Sequence, residues 1–447
     1  METDNHLGAP RALVLAMQDW PLTAYLAINL RRSGFTVEGL CPRRHALRHT
    51  SSVDRCFLFS GARPVRSLLR AIRRSSPAIL VPGDDQSLYA IYDLHEQCSR
   101  DGGPGSVEII RLIERSLGDP AAFSIARSKA ALIRLARENA IRIPETRELS
   151  NVDELAAHCE TTAPPFVLKQ DGTYGGLGVI VTQSKDEAKR AFRRLRTRTV
   201  IGAGRQLLFK ANLRPLIMAI TSPAPVISAQ QYIEGRPANR AVLCWRGRVL
   251  AGATVMTLEA APFPNGPATV VEFIREPEID RAVDTLVSNL ALSGFCGFDF
   301  MLDRQTGRPF LLELNPRATS AAWLGSKPGS DLCAALFRAL DAEQRSTVAP
   351  SRSEDEDPPG EKVALFPQEW LRSETSVHLS AAYHRVPWHD RKLVRYLIRS
   401  ATPHHRKAKP GLLDSFARRI VLGSNWKLSS DSKRAACGET RESRITE

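Results

Sequence analysis

No run of 18 apolar residues occurs in the 447-residue chain, so no segment is long and apolar enough for a membrane-spanning helix. No C-x-x-C occurs either. The eight cysteines (Cys41, Cys56, Cys98, Cys159, Cys244, Cys296, Cys333 and Cys437) are scattered singly, most in apolar surroundings. Thiols so placed read as reduced core residues, and the compartment as a reducing one. The opening Met1-Glu2-Thr3-Asp4 is acidic and has no signal-peptide pattern. Together these absences lead us to expect a soluble, cytoplasmic protein. Also missing are G-x-S-x-G, H-E-x-x-H, a Walker A loop and any internal repeat. That sets aside the serine-elbow hydrolases, the zincins and the P-loop nucleotidases.

What is present fits a large globular chain. Hydrophobic residues make up 43%, enough for a sizeable core, and the length suggests roughly two to four domains. The net charge is +14, and residues 363–447 hold 16 Lys/Arg against 8 Asp/Glu. Such a surface attracts anions, from nucleotides to acidic partners, although much of it is expected to be merely solvated.

Residues 11–120 alternate short apolar runs with helical patterns. Ala12 to Ala16, Val37 to Cys41 and Ala78 to Val81 read as strands; 22–33, 65–74 and 88–98 read as helices. This alternation argues for an open parallel sheet. Gly83-Asp84-Asp85 follows a strand, where ligands often bind, but capping the next helix is the simpler role for either aspartate. From 165 to 315 the pattern changes to strand-like runs broken by turns, with a helix near 278–292, which is an α+β unit. Residues 343–361 are polar and contain prolines, and read as a disordered linker. A small basic unit at 362–426 follows, then a disordered tail at 427–447.

Three segments carry chemistry. Pro165 to Gln170 and Val179 to Thr182 flank a loop with Gly172, Gly175, Gly176 and Gly178. Such a loop lets backbone amides approach phosphate oxygens, and Lys169 can reach the same oxygens as a point charge. Gly297 to Leu302 and Pro309 to Asn315 form a hairpin across the polar turn 303–308. Residues i and i+2 share a strand face, so Glu313 and Asn315 point together, away from Leu312 and Leu314. Asp299 sits between Phe298 and Phe300. If Asp299 lies opposite Glu313, or an even number of residues away, the two carboxylates share a face while Phe298, Phe300, Leu312 and Leu314 enter the core. Burying two carboxylates together calls for a cation, and hard oxygen ligands suit Mg²⁺ or Mn²⁺. Arg317 follows and could offer a bidentate fork to a phosphoryl group. The third segment, Ala229 to Gly235, could present backbone groups to an adenine edge.

Taken in this order, the segments resemble the ATP-grasp superfamily, of the carbamoyl-phosphate-synthase-like, carboxylate–amine or carboxylate–thiol ligase type. The correspondence runs over about residues 120–340. The resemblance implies a Rossmann-like αβα domain at 1–120, then an ATP-grasp domain at 121–342 whose two α+β subdomains sandwich ATP. It implies phosphate contacts from Lys129 and Lys169, a lid with Gly175, Gly176 and Gly178, and an adenine-binding hinge at Gln231, Tyr232, Ile233 and Glu234. It further implies that Asp299, Glu313 and Asn315 hold metal, usually two Mg²⁺, and that Arg317 stabilises the transferring phosphoryl group. The substrates would be a small-molecule carboxylate and a nucleophile.

The chain departs from the family pattern in places. Gln230 or Gln231 stands where the hinge often has Glu. Arg236-Pro237-Ala238-Asn239 occupies the stretch that commonly supplies a ribose-binding Glu, which leaves ribose contact to Asn239 or to none. Asp299 replaces the longer Glu or Gln of many members. The expected activity is ligation with release of ADP and phosphate. The alternatives are a small-molecule kinase on the same fold, or a non-catalytic ATP-binding module whose basic C-terminal unit meets an acidic partner.

Overall fold

A computed structural model describes residues 9–18, 20–170, 178–196, 226–262, 266–348, 351–381, 383–384 and 386–401. Residues 1–398 form one compact unit. The N-terminal part holds β1 (Arg11–Leu15), β2 (Thr36–Cys41), β3 (Arg55–Leu58) and β4 (Ile79–Pro82), all parallel, in the order β3-β2-β1-β4. β1 and β4 are buried almost throughout because helices cover both faces. The open parallel sheet is therefore as expected. β3 is the one strand that the hydrophobic pattern did not suggest; it is an edge strand, exposed at both ends, and has no continuous apolar run.

Two further sheets follow, antiparallel except for the parallel β14–β15 pair of the larger one. The smaller contains β5 (Thr146–Leu149), β6 (Phe166–Gln170), β7 (Val179–Thr182) and β8 (Ile227–Gln231), in the order β5-β8-β6-β7. The larger contains β9 (Gly235–Trp245), β10 (Arg248–Ala260), β11 (Ala268–Phe273), β12 (Gly294–Asp303), β13 (Pro309–Asn315), β14 (Lys362–Ala364) and β15 (Tyr383–His384). Its order is β13-β12-β9-β10-β11-β14-β15. The helix Pro277–Asn289 lays Ile279, Val283, Leu286 and Val287 onto one face, against Val242, Phe298, Phe300 and Leu314. Among the described residues no helix is long and apolar enough to cross a membrane.

The N-terminal domain is fastened to the larger sheet through the segment after β13. Ala318 N–H donates to the Pro82 carbonyl at 3.1 Å. Trp323 stacks on Tyr25 with centroids 4.3 Å apart, and its carbonyl accepts from Asn29 Nδ2 at 2.8 Å.

Residues 351–361 differ from the disordered linker expected there. Arg352 Nη2 donates to Glu356 at 2.8 Å and to Asp280 at 3.2 Å. Asp357 accepts from Ser326 N–H at 2.8 Å. This network surrounds Arg240, only 2% exposed, whose guanidinium lies 3.2 Å from Asp280 and 3.6 Å from Glu356. Opposite charge and hydrogen bonds order the segment where apolar burial could not. The chain then enters the larger sheet as β14, against β11. Tyr25 Oη donates to the Phe366 carbonyl at 2.8 Å, and Asp390 accepts from Thr50 Oγ1 and Ser51 N–H, both at 2.7 Å. Residues 362–398 are thus integral to the compact unit, where a separate basic domain was expected. The tail 427–447 lies outside the described residues.

Glu369 is fully buried beneath this segment, accepting from Thr269 Oγ1 and from two nitrogens of Arg372, each at 2.7 Å. Glu369→Ala should therefore lower unfolding stability by about 2 kcal/mol, the cost of stranding those donors. Urea denaturation checks this, and an unchanged midpoint would mean that the segment is not part of the cooperative fold.

Candidate active site

The register of the β12–β13 hairpin is the even one. Asp299 pairs directly with Glu313, Phe298 with Leu314 and Gly297 with Asn315. Directly opposed residues share a face, so both carboxylates project together while Phe298 and Leu314 turn into the core. A bulge follows at once, and Phe300 pairs with Leu311. The expectation that Leu312 would join the core needs correcting: Leu311 is 2% exposed and Leu312 is only half-buried. The bulge advances β13 by one residue at that point and re-aims the side chain.

Around these carboxylates the structure gathers most of the expected set. Ser128 caps the helix Lys129–Glu138 through its hydroxyl, which accepts from Ala131 N–H at 3.2 Å. The cap places Lys129 at the helix start, with Nζ 3.5 Å from Glu313 Oε1. Lys169 comes from β6 in the smaller sheet. Burial, then the nearby Lys129 charge, lowers its pKa to about 8, while Glu313 and Asp299 work the other way. Asp299 is pushed up to about 6, first by burial and then by Glu313; hydrogen bonds from Asn239 and Asn315 and the charge of Arg317 oppose the rise. Two like charges withdrawn from water raise each other's cost of ionisation. The arrangement is a two-lysine, two-carboxylate cluster with the Arg317 charge beside it.

Asn315 Nδ2 donates to Asp299 Oδ2 at 2.8 Å, and its Oδ1 accepts from Arg317 at 3.1 Å. Asn239, weighed for ribose contact, belongs to this cluster instead. It lies opposite Asp299 on β9 and donates to Asp299 Oδ1 at 2.7 Å, while its own oxygen accepts from Thr319 Oγ1 at 3.0 Å. Thr319 can come so close because residue 297 is glycine; a Cβ there would lie 2.1 Å from the threonine methyl. Neither the Asn239–Asp299 contact nor the part played by Thr319 is legible in sequence, since each acts through a cross-strand or loop contact. Among the described residues no group of three or more His, Cys, Asp or Glu is assembled for a metal. Any ion here would take two carboxylates and an amide oxygen.

Arg317, expected to offer a fork to a phosphoryl group, is already held by Asp85. Its Nε and Nη2 donate to the two oxygens of Asp85 at 2.8 and 3.0 Å. Asp84 is the helix cap, accepting from Ser87 N–H at 2.7 Å, and also takes Met17 and Gln18 N–H at 2.6 and 2.8 Å. Of the two aspartates, one caps as expected and the other reaches into the site.

The hinge residues link the two sheets. Gln231 ends β8, with its N–H donating to the Glu145 carbonyl at 2.7 Å. Ile233 is 8% exposed and Tyr232 is 37% exposed. Among the described residues neither the Tyr232 nor the Ile233 main chain has a hydrogen-bond partner. The Glu234 carboxylate is 2.7 Å from the exposed Arg304 and is not aimed at the cluster. Gly178 accepts from Gln170 N–H at 2.9 Å and closes the base of the glycine loop. Gly172, Gly175 and Gly176 lie outside the described residues. A cavity of about 310 Å³ beside Ala130, Arg134, Glu148 and Ser228 is lined by neither Asp299 nor Glu313.

No protein-family model matches the sequence, and no curated protein matches it. Solved structures do. N5-carboxyaminoimidazole synthase from Aspergillus clavatus, in complex with ADP and 5-aminoimidazole ribonucleotide, superimposes with a TM-score of 0.54 at 17% identity, over 79% of this chain and 81% of that one. The biotin carboxylase domain of Hydrogenobacter thermophilus 2-oxoglutarate carboxylase, with MgADP and bicarbonate, gives 0.53 at 13%, over 78% and 73%. N5-carboxyaminoimidazole synthetase from Staphylococcus aureus gives 0.51 at 10%, over 78% and 81%. The chain has the ATP-grasp fold. At these identities the likeness is one of architecture.

The raised Asp299 pKa has a consequence for the metal-free, nucleotide-free protein. Between about pH 4 and 6 the folded state keeps a proton that the unfolded state gives up, so stability falls as pH rises through that window and stays low above it. Asp299→Asn should remove that fall, so that its melting temperature differs less between pH 4 and pH 8 than the wild type's does. An equal difference in the variant would contradict the burial of this charge.

Proposed function

We propose that the chain is a Mg·ATP-dependent ligase that activates a carboxylate as an acyl phosphate for attack by an amine or a thiol, releasing ADP and phosphate. The observation that carries this reading is the convergence of Lys129, Lys169, Asp299, Glu313 and Asn315 where the two antiparallel sheets of an ATP-grasp fold meet. Phosphoryl transfer needs positioning and charge neutralisation more than a protein nucleophile.

The donor set fits a hard divalent cation. Asp299 and Glu313 oppose each other on one face, and the Asn315 amide oxygen would add a neutral ligand. Magnesium or manganese, when bound, would neutralise phosphate charge, with Asp299, Glu313 and Asn315 holding two ions. The chain's own residues do the rest. Lys129 and Lys169 bind phosphate oxygens from two sides. The free main-chain groups of Tyr232 and Ile233 take the adenine edge, flanked by Gln231 and Glu234. By the family resemblance, the loop with Gly175, Gly176 and Gly178 would cover the phosphates, and Arg317 steadies the transferring group. The Aspergillus and Hydrogenobacter proteins, solved with ADP and with MgADP, support ATP and Mg²⁺ as ligands of the same fold. The free, mostly buried cysteines support a reducing, cytoplasmic setting.

A screen of small carboxylic acids, with and without amines, for ADP and phosphate release tests the reading. Turnover should require Mg²⁺ or Mn²⁺, and Glu313→Gln should lower it by roughly 10²-fold or more. Free phosphate identifies a ligase; a stable phosphorylated product would identify a kinase. Lys169→Ala should weaken MgADP binding by about tenfold or more through loss of a buried phosphate contact, as measured by calorimetry. Unchanged affinity would place the nucleotide elsewhere.

A further inference from the structure

Nearly all the donors of Arg317 are committed. Nε and Nη2 meet the two oxygens of Asp85 at 2.8 and 3.0 Å, Nη2 also reaches Asn315 Oδ1 at 3.1 Å, and Nη1 donates to the Ala318 carbonyl at 3.3 Å. A guanidinium has five N–H bonds, so one on Nη1 is left for a substrate oxygen. The pair is well withdrawn from solvent, with side-chain exposures of 17% and 15%. Asp85 belongs to the N-terminal domain, just beyond the end of β4, and Asp84 already supplies the helix cap there. The Ala318–Pro82 hydrogen bond fixes the two backbones beside the pair.

We infer that Asp85 is a positioning residue for phosphoryl transfer: it holds the Arg317 fork in one orientation against Asn315, and through Asn315 against the Asp299–Glu313 pair. The inference rests on the ligase reading. A long, rotamer-rich side chain clamped by a bidentate carboxylate is preorganised, and a donor fixed beforehand stabilises developing charge without reorganisation during the step. The N-terminal domain, whose strand ends form the other wall of this region, thereby contributes a residue to the chemistry of the ATP-grasp unit.

The test uses the full chain. Asp85→Asn keeps the shape and removes the charge. It should lower kcat for ADP formation about 10- to 100-fold with the KM for ATP within about threefold, because ATP itself is held by other residues. Asp85→Glu should recover part of kcat. By calorimetry, MgADP should bind Asp85→Asn as it binds the wild type, whereas MgADP with aluminium fluoride, which mimics the transferring phosphoryl group, should bind at least about tenfold more weakly. Asp85→Asn combined with Arg317→Ala should be no slower than Arg317→Ala alone. Should Asp85→Asn fail to fold, Arg317→Lys, which keeps the charge and loses the fork, is read in the same two ways. Wild-type kcat in the variant, equal weakening of both nucleotide complexes, or additive losses in the double variant would overturn the inference. If the wild type binds the fluoride complex but no acid elicits ADP, the ligase reading fails while the binding comparison still decides Asp85. A wild type that binds no MgADP would overturn both.

Discussion

Two carboxylates set face to face on adjacent strands are the constraint around which this protein is organised. Asp299 and Glu313 are held there by the pairing of β12 with β13, and that pairing is fixed by Phe298 and Leu314 turning into the core behind them. The hydrophobic face and the charged face are two consequences of one register. Everything near the pair answers its charge. Lys129 arrives from a capped helix, Lys169 from the smaller sheet, and the Asn239 and Asn315 amides donate to Asp299. Like-charge burial of this kind is unfavourable in the empty protein and becomes useful when a cation is bound.

The same hairpin binds the domains together. Its last strand runs directly into the Arg317–Trp323 segment, which packs on the N-terminal domain through Asp85, Pro82, Asn29 and Tyr25. The strand ends of the parallel sheet therefore lie next to residues covalently continuous with the Asp299–Glu313 pair.

The segment after 351 brings a different physical logic into the fold. Its order comes from Arg240 and Arg352 meeting Asp280 and Glu356, and from Asp357 and Glu369 collecting hydroxyl and amide donors. Arg240 projects from β9 on the face opposite Asn239, so the strand that helps hold the carboxylate cluster also anchors this strap from beneath. Charge pairing inside the protein is favourable only with good geometry and further hydrogen bonds, and here both come from tertiary neighbours far apart in sequence.

The sequence alone determined the elements whose signal is local. The parallel sheet was legible in its continuous apolar strands, the Ser128 cap in its position before a helical pattern, and the Asp299–Glu313 face in the alternation of side chains along two strands. Periodicity and capping depend on neighbours within a few residues, so they survive reading in one dimension. Tertiary structure decided the rest. The exposed edge strand β3 had too little apolar content to be read. The bulge that replaced Leu312 with Leu311 changes pairing without changing composition. Asn239, Thr319 and Asp85 joined the site through contacts across strands and domains, and residues 351–361 were ordered by partners distant along the chain, such as Asp280 and Arg240. Composition measures how much apolar surface a segment can bury, whereas ion pairs and cross-strand hydrogen bonds exist only once the partners have been brought together.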